Sequence, residues 1–182
     1  EQQYGREFLE TGGFSVRTTI DLDMQERAER AVSAGADRNI RYGANNAALV
    51  AVEVGTGDVV AMVGSRDYFD ETIDGQVNVT MRPRQPGSAF KPFAYARAFE
   101  EGYQPETLVY DVPVNFGPDG GGGDYIPKDY DGKYRGELPM KEALPQSLNI
   151  PAVETLAVAG VSDVIGLAKR LGISTLGEDR AY

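Results

Sequence analysis

The chain has 182 residues, 41% of them apolar, and a net charge of −10 at neutral pH. That is enough chain for one domain with a real core and the wrong composition for a disordered segment, while the acidic balance argues against nucleic acid, whose phosphates need Lys and Arg to neutralise them. The sequence holds no histidine and no cysteine, which removes imidazole bases, thiolate nucleophiles, disulfides and Cys-type zinc sites, and leaves only oxygen ligands for any metal.

In chain order, residues 13–20 (Gly-Phe-Ser-Val-Arg-Thr-Thr-Ile) alternate weakly and are β-branched, which predicts a strand. Asp21 or Asp23 can cap a helix carrying an apolar stripe through Met24, Ala28, Ala31, Val32 and Ala36 and fading before Tyr42-Gly43. Residues 47–54 and 58–64 read as a hairpin turned by Gly55-Thr56-Gly57, and their nearly continuous apolarity predicts burial on both faces. Residues 65–87 read as loop. A helix over about 89–101 is apolar nearly all round and should be buried. Residues 103–138, rich in Gly, Pro, Asp and Tyr, predict irregular structure with short strands, Gly120 to Gly123 being a flexible loop and Asp131-Gly132 a hairpin turn. A short helix over Met140–Gln146 should precede a helix opened by Pro151, and a last helix from Val161 should end at Gly172. No apolar run reaches the roughly 18–20 residues needed to span a bilayer.

The chemistry concentrates at Arg84-Gln85-Pro86-Gly87-Ser88-Ala89-Phe90-Lys91-Pro92-Phe93. Pro86-Gly87 makes a tight turn, and Ser88 sits where a helix begins. Ser88 and Lys91 are i and i+3 neighbours on one face, and the free N–H groups of a helix start could stabilise an oxyanion there. A serine hydroxyl must lose its proton to a base before it attacks a carbonyl. Without histidine that base is Lys91, provided burial beside the Phe-rich flank keeps its amine neutral. The blander reading is an N-cap beside a surface lysine, since Ser-x-x-Lys arises by chance roughly once in a chain of this length.

A second pattern, Ser147-Leu148-Asn149, lies between Pro145 and Pro151. In an extended stretch the two polar side chains would point the same way, the hydroxyl able to relay a proton and the amide able to hold a peptide carbonyl. The alternative is that Asn149 caps the next helix. Asp67, Asp70, Glu71 and Asp74, and the Asp129-Tyr130-Asp131-Gly132 stretch, read as solvated acidic loops, because the ligand spacing of a calcium loop is not met.

Ser88-x-x-Lys91 followed by Ser147-x-Asn149 resembles the penicillin-binding protein transpeptidase domain, of the bifunctional (class A) type. The stretches from Thr18 to Gln25, Gly55 to Gly64, Arg84 to Pro92, Tyr130 to Tyr134, Glu142 to Leu144 and Gln146 to Val153 match that pattern too, so most of residues 14–172 is covered. The resemblance implies an α/β (α+β) fold of the penicillin-binding protein/β-lactamase kind, an antiparallel sheet with flanking helices. It implies a serine D,D-transpeptidase that cross-links peptidoglycan stem peptides through an acyl-enzyme on Ser88. Lys91 would be the general base, Ser147 a proton relay and Asn149 a substrate ligand, with no metal or organic cofactor. D-Ala-D-Ala stem peptides and β-lactam antibiotics would be its partners. Its place would be the extracytoplasmic face of the bacterial cytoplasmic membrane, the anchor not in this chain.

The family's third motif, Lys-Thr-Gly or Lys-Ser-Gly, is absent from residues 1–182. The expectation is therefore a linker remnant over 1–13 and the N-terminal part of the transpeptidase domain over 14–182. The C-terminal strands would be missing, and the chain alone would be inactive and poorly stable, with an apolar hairpin edge exposed. A β-lactamase and a non-catalytic β-lactam-sensing or scaffold module remain as alternatives.

Overall fold

A computed structural model of the chain describes residues 11–176, so the ends of the expected linker and of the expected domain lie outside the described residues. It divides into two compact units, one running to Pro83 and one starting at Arg84.

In the first unit, α1 (Leu22–Asn39) begins where Asp21 Oδ1 accepts the Met24 N–H at 2.9 Å, one of the two caps the sequence offered. It ends in a single 3-10 turn, Ile40–Tyr42, closed by Gly43 at φ +77°. The stripe it buries is narrower than predicted. Ala28, Val32 and Ala36 are buried, whereas Met24 and Ala31 face solvent. Ala28 and Val32 pack with Ala61 and Val63 on β2 (Val59–Val63), the second strand of a hairpin with β1 (Leu49–Val52). The strands are antiparallel with Leu49 opposite Val63 and a bulge between Ala51 and Val52.

Two sequence expectations fail in this unit. Residues 13–20 form no strand. The chain instead attaches to β2 by two isolated hydrogen bonds, from Thr19 Oγ1 to the Val59 carbonyl (2.6 Å) and from the Asp21 N–H to the Val60 carbonyl (3.0 Å). The Gln25 side chain then mimics a strand, accepting the Met62 N–H at 2.8 Å and donating to its carbonyl at 3.0 Å. The edge of β2 is thus taken by a loop and a helix start, which leaves no ladder for an extra strand. Nor is the hairpin buried on both faces: Leu49 and Ala51 turn inward, while Val50, Val52 and Val54 are exposed.

In the second unit, α2 (Lys91–Glu100) packs on α4 (Asn149–Ala159) and α5 (Val161–Arg170). The strand β3 (Leu108–Asp111) pairs antiparallel with β4 (Gly136–Pro139), which runs into the one-turn α3 (Met140–Ala143). Pro151 sits in the first turn of α4, where its missing N–H costs nothing. Gly160 at φ +78° breaks the chain between α4 and α5, which meet at 90°. The core joins Ala94, Tyr95 and Ala98 of α2 to Val109, Leu138, Met140, Leu148, Ala152 and Val164. The α2 helix is not buried all round as predicted, for Ala96 and Phe99 lie on an exposed side. The four-glycine run folds around one carboxylate, Asp119 Oδ1 accepting the N–H groups of Gly121 and Gly123. Asp131-Gly132 is a turn closed by the Gly132 N–H on the Asp129 carbonyl, but no two paired strands flank it. Among the described residues no single helix is long and apolar enough to cross a membrane.

Met140 is 1% exposed, so Met140→Ala is expected to cost about 2–5 kcal/mol through lost contacts and the cavity left behind, read from urea unfolding. The outward row of the hairpin predicts a second effect. Replacing Val50, Val52 and Val54 together by Thr is expected to lower self-association in light scattering while the helical circular dichroism stays intact, since exposed apolar strand faces promote edge pairing.

Candidate active site

Ser88 lies in a 3-10 turn, Gly87–Phe90, that leads directly into α2. Gly87 at φ +54° allows the sharp entry, a conformation costly for any residue with a Cβ. The Lys91 N–H closes the turn on the Ser88 carbonyl, and Pro92 sits in the first turn of α2. Phe90 and Phe93 stack with ring centroids 5.1 Å apart, and Phe90 shares a groove with Lys91. Ser88 is exposed, and its hydroxyl makes no hydrogen bond among the described residues.

The hydrogen bonds of the Lys91 amine go to the other motif. Its Nζ donates to the Ser147 carbonyl at 2.5 Å, to Ser147 Oγ at 3.2 Å and to Asn149 Oδ1 at 2.6 Å. The structure therefore brings Lys91, Ser147 and Asn149 together across more than fifty residues of chain, with Ser88 one turn away on the same helix start. Burial pulls the Lys91 amine below its ordinary value, and the Asp129 carboxylate works in the opposite sense.

The Ser147–Asn149 arm is not extended, as the sequence reading had it. Ser147 sits in the left-handed region at φ +55°, with its N–H on the Leu144 carbonyl at 2.9 Å. Leu148 is extended and 2% exposed, and it anchors the arm in the core between the two polar residues. Asn149 is already the first residue of α4, and its side chain does not cap that helix. Its Oδ1 accepts a hydrogen bond from Lys91 Nζ, its Nδ2 donates to the Lys128 carbonyl at 2.7 Å, and its backbone N–H donates to Asp129 Oδ1 at 2.5 Å. The cap of α4 thus comes from Asp129, twenty residues earlier in the chain.

Asp129 corrects another expectation. Read as part of a solvated acidic loop, it is 6% exposed, and it stands beside Asp111, which is fully buried. Neither acid was singled out as a site residue, nor was Arg135. A signal for Asp111 existed: along β3 it falls in phase with Val109, on the inward side of the strand. Ser88, Ser147, Asn149, Lys128, Asp131 and Arg135 line one cleft of about 680 Å³. Phe90, Lys91, Ala152 and Leu156 line a second, more apolar groove of about 450 Å³, which Asn149 also borders. Among the described residues no three acidic side chains gather closely enough to hold a metal ion.

Comparison with known proteins gives one answer. The family model of the penicillin binding protein transpeptidase domain matches residues 47–181. Penicillin-binding protein 2D of Bacillus subtilis (strain 168) is 36% identical over 174 residues, 93% of this chain and 24% of that protein. Penicillin-binding protein 1A of Rickettsia felis is 34% identical over 129 residues, 71% of this chain and 16% of that protein. Among solved structures, penicillin-binding protein 1A from Haemophilus influenzae aligns with a TM-score of 0.62 at 30% identity, covering 70% of this chain and 18% of that one. PonA1 from Mycobacterium tuberculosis, in complex with penicillin V, aligns with a TM-score of 0.73 at 26% identity, covering 94% and 42%. The chain spans about a quarter or less of the length of these two curated relatives. In its mixed helices and antiparallel strand pairs it shares their α/β transpeptidase fold, and it belongs to the penicillin-binding protein transpeptidase domain family.

Proposed function

We propose that this chain supplies the nucleophile-bearing, N-terminal part of a serine D,D-transpeptidase domain acting on peptidoglycan outside the cytoplasm. The observation that carries the reading is the convergence of Lys91 with Ser147 and Asn149 beside Ser88, at 2.5 to 3.2 Å. In this mechanism the Ser88 hydroxyl attacks the carbonyl of the penultimate D-alanine of a stem peptide and gives its proton to the neutral Lys91 amine. The tetrahedral intermediate collapses, the bond to the last D-alanine breaks, and its nitrogen leaves with a proton relayed from Lys91 through Ser147 Oγ. An amine of a neighbouring strand then attacks the Ser88 ester, loses a proton by the same route, and releases Ser88 with a new amide bond formed. Asn149, clamped on both sides by Lys91 and Lys128, holds the stem-peptide backbone.

The local physics supports each role. Desolvation lowers the Lys91 amine toward the neutral form a base requires. The exposed Ser88 hydroxyl is open to the cleft. The 3.2 Å contact between Nζ and Ser147 Oγ is a ready path for a proton. β-Lactams, whose ring carbonyl is a strained counterpart of the scissile amide, would acylate Ser88 and block it. The groove-lining Lys-Thr/Ser-Gly strand would come from sequence beyond this chain, so turnover belongs to the full-length polypeptide and not to residues 1–182 by themselves.

The test is intact-protein mass spectrometry of the full-length polypeptide after penicillin treatment, with peptide mapping. A penicilloyl adduct on Ser88 that persists is expected. An unmodified Ser88 would overturn acyl transfer and favour a scaffold, and an adduct released within seconds would mean a β-lactamase. Ser88→Ala should abolish labelling. Lys91→Ala should slow it by about 10²–10⁴, and Asn149→Ala by roughly ten- to a hundredfold, the loss of one or two hydrogen bonds. Because only neutral Lys91 accepts the proton, labelling should rise with pH and level off below the ordinary lysine value of 10.5; a rise that continues to that value would show an untuned lysine.

A further inference from the structure

Behind the Ser147–Asn149 arm lie two buried carboxyl groups that the mechanism does not use. Asp111, at the end of β3, is fully buried, and Asp129 is 6% exposed. Each has one oxygen satisfied by a backbone N–H. Asp111 Oδ2 accepts from Arg135 at 2.7 Å, and Asp129 Oδ1 accepts from Asn149 at 2.5 Å. The other oxygen of each, Asp111 Oδ1 and Asp129 Oδ2, is buried and without a hydrogen-bond partner among the described residues.

Arg135, whose side chain comes near both, does not meet this need. The Arg135 Nη1 stands 3.8 Å from Asp111 Oδ2 and 3.6 Å from Asp129 Oδ2, beyond hydrogen-bond reach. Its guanidinium is spent on the more exposed Asp131, at 2.9 and 3.0 Å, and on the Lys133 carbonyl. Two ionised acids here would leave two orphan oxygens and one excess buried negative charge. A single proton removes all three faults, because a protonated Asp111 donates to Asp129 and gives both orphan oxygens a partner. Burial and this hydrogen bond both push the Asp111 carboxyl above its ordinary value of 3.8.

We propose that Asp111 and Asp129 share one proton, and that this carboxyl–carboxylate pair is a positioning element for the acyl-transfer site, fixing Asn149 through its backbone and setting the charge against which Lys91 works. Asp129 acts through two links. Its Oδ1 holds the first N–H of α4, so it sets where the Asn149 side chain emerges. Its charge also acts on Lys91, favouring the ammonium. With one shared proton the pair carries one negative charge instead of two, and Lys91 can be neutral. Without that proton a second negative charge appears, and Lys91 is held protonated and unable to act as a base. The other charged groups around the pair are Asp131 and Lys128 on its own loop, and Glu154 of α4, which accepts the Tyr110 N–H next to Asp111 at 2.9 Å.

The sign follows from the direction of the Asp111 shift. The folded state binds this proton more tightly than the unfolded chain, so the stability it contributes is complete below pH 3.8 and is lost as pH rises through the raised folded value. Above that value the acylation rate should also stop rising or fall.

The shared proton does not depend on the acyl-transfer reading, whereas its effect on acylation does, and the experiment separates the two. The full-length polypeptide, with ¹³C-labelled aspartate carboxyls, is examined by infrared and NMR spectroscopy at neutral pH, alongside its rate of Ser88 labelling by penicillin from pH 5 to 10. A protonated aspartic acid signal is expected at pH 7 in the wild type that is missing in D111N, whose amide donates the same hydrogen bond and cannot ionise. D129A should lose tenfold or more in labelling rate, with D129N recovering most of it, and D111N should move the alkaline limb of the profile to higher pH. If every aspartate is ionised at neutral pH, the shared proton is wrong. If D129A labels as fast as the wild type, the positioning role is wrong. Should D129A not fold, the carboxyl signal and the D111N profile still decide. An unlabelled wild-type Ser88 would overturn the acyl-transfer reading, and with it the catalytic consequence, while leaving the carboxyl measurement to judge the pair.

Discussion

The arrangement of the second unit depends on one constraint, the need of the half-buried Lys91 amine for acceptors. A lysine brought into an apolar helix start must find oxygen atoms or give up its charge. Three oxygens are supplied, two from Ser147 and one from Asn149. These contacts tie the entry of α2 to the entry of α4, so that two helix starts far apart in sequence share one small volume. The packing of Ala94, Tyr95 and Ala98 against Ala152 and Leu148 holds the helices at the distance this requires.

The two serines of the site are built in opposite ways. Ser88 is presented by a glycine-bent turn, exposed and without a hydrogen bond among the described residues, as suits a group that must reach a ligand. Ser147 is held by contacts through both its carbonyl and its hydroxyl, in a backbone conformation stabilised by Leu148 in the core. Freedom on one side and restraint on the other is what the proposed displacement at Ser88, with proton traffic through Ser147, calls for.

What could be read from the sequence was whatever is decided locally. The Asp21 cap, the glycine turn of the hairpin, Pro151 in a first turn and the Ser88–Lys91 spacing all follow from neighbours within a few residues. What could not be read was decided by distant chain. Residues 13–20 have strand propensity, but Gln25 and Asp21 occupy the edge they would need. Ser147 and Asn149 do meet at one site, although a left-handed turn rather than an extended segment brings them there. Asp129 sits in a stretch as polar as any surface loop, and only the folded chain places it against Asp111 and under the start of α4. Burial of an acid is a property of its surroundings, and a lone Asp in a Gly- and Tyr-rich segment gives little warning of it.

The left-handed backbone at Ser147 carries a cost of its own. A residue with a Cβ gives up about 1–2 kcal/mol to adopt that conformation, and glycine would remove the penalty at once. Glycine would keep the carbonyl that Lys91 binds but would delete the hydroxyl. On the proposed mechanism the fold and the chemistry therefore ask for different residues at this one position, and a domain selected for durability alone would drift toward the residue that removes the proton relay.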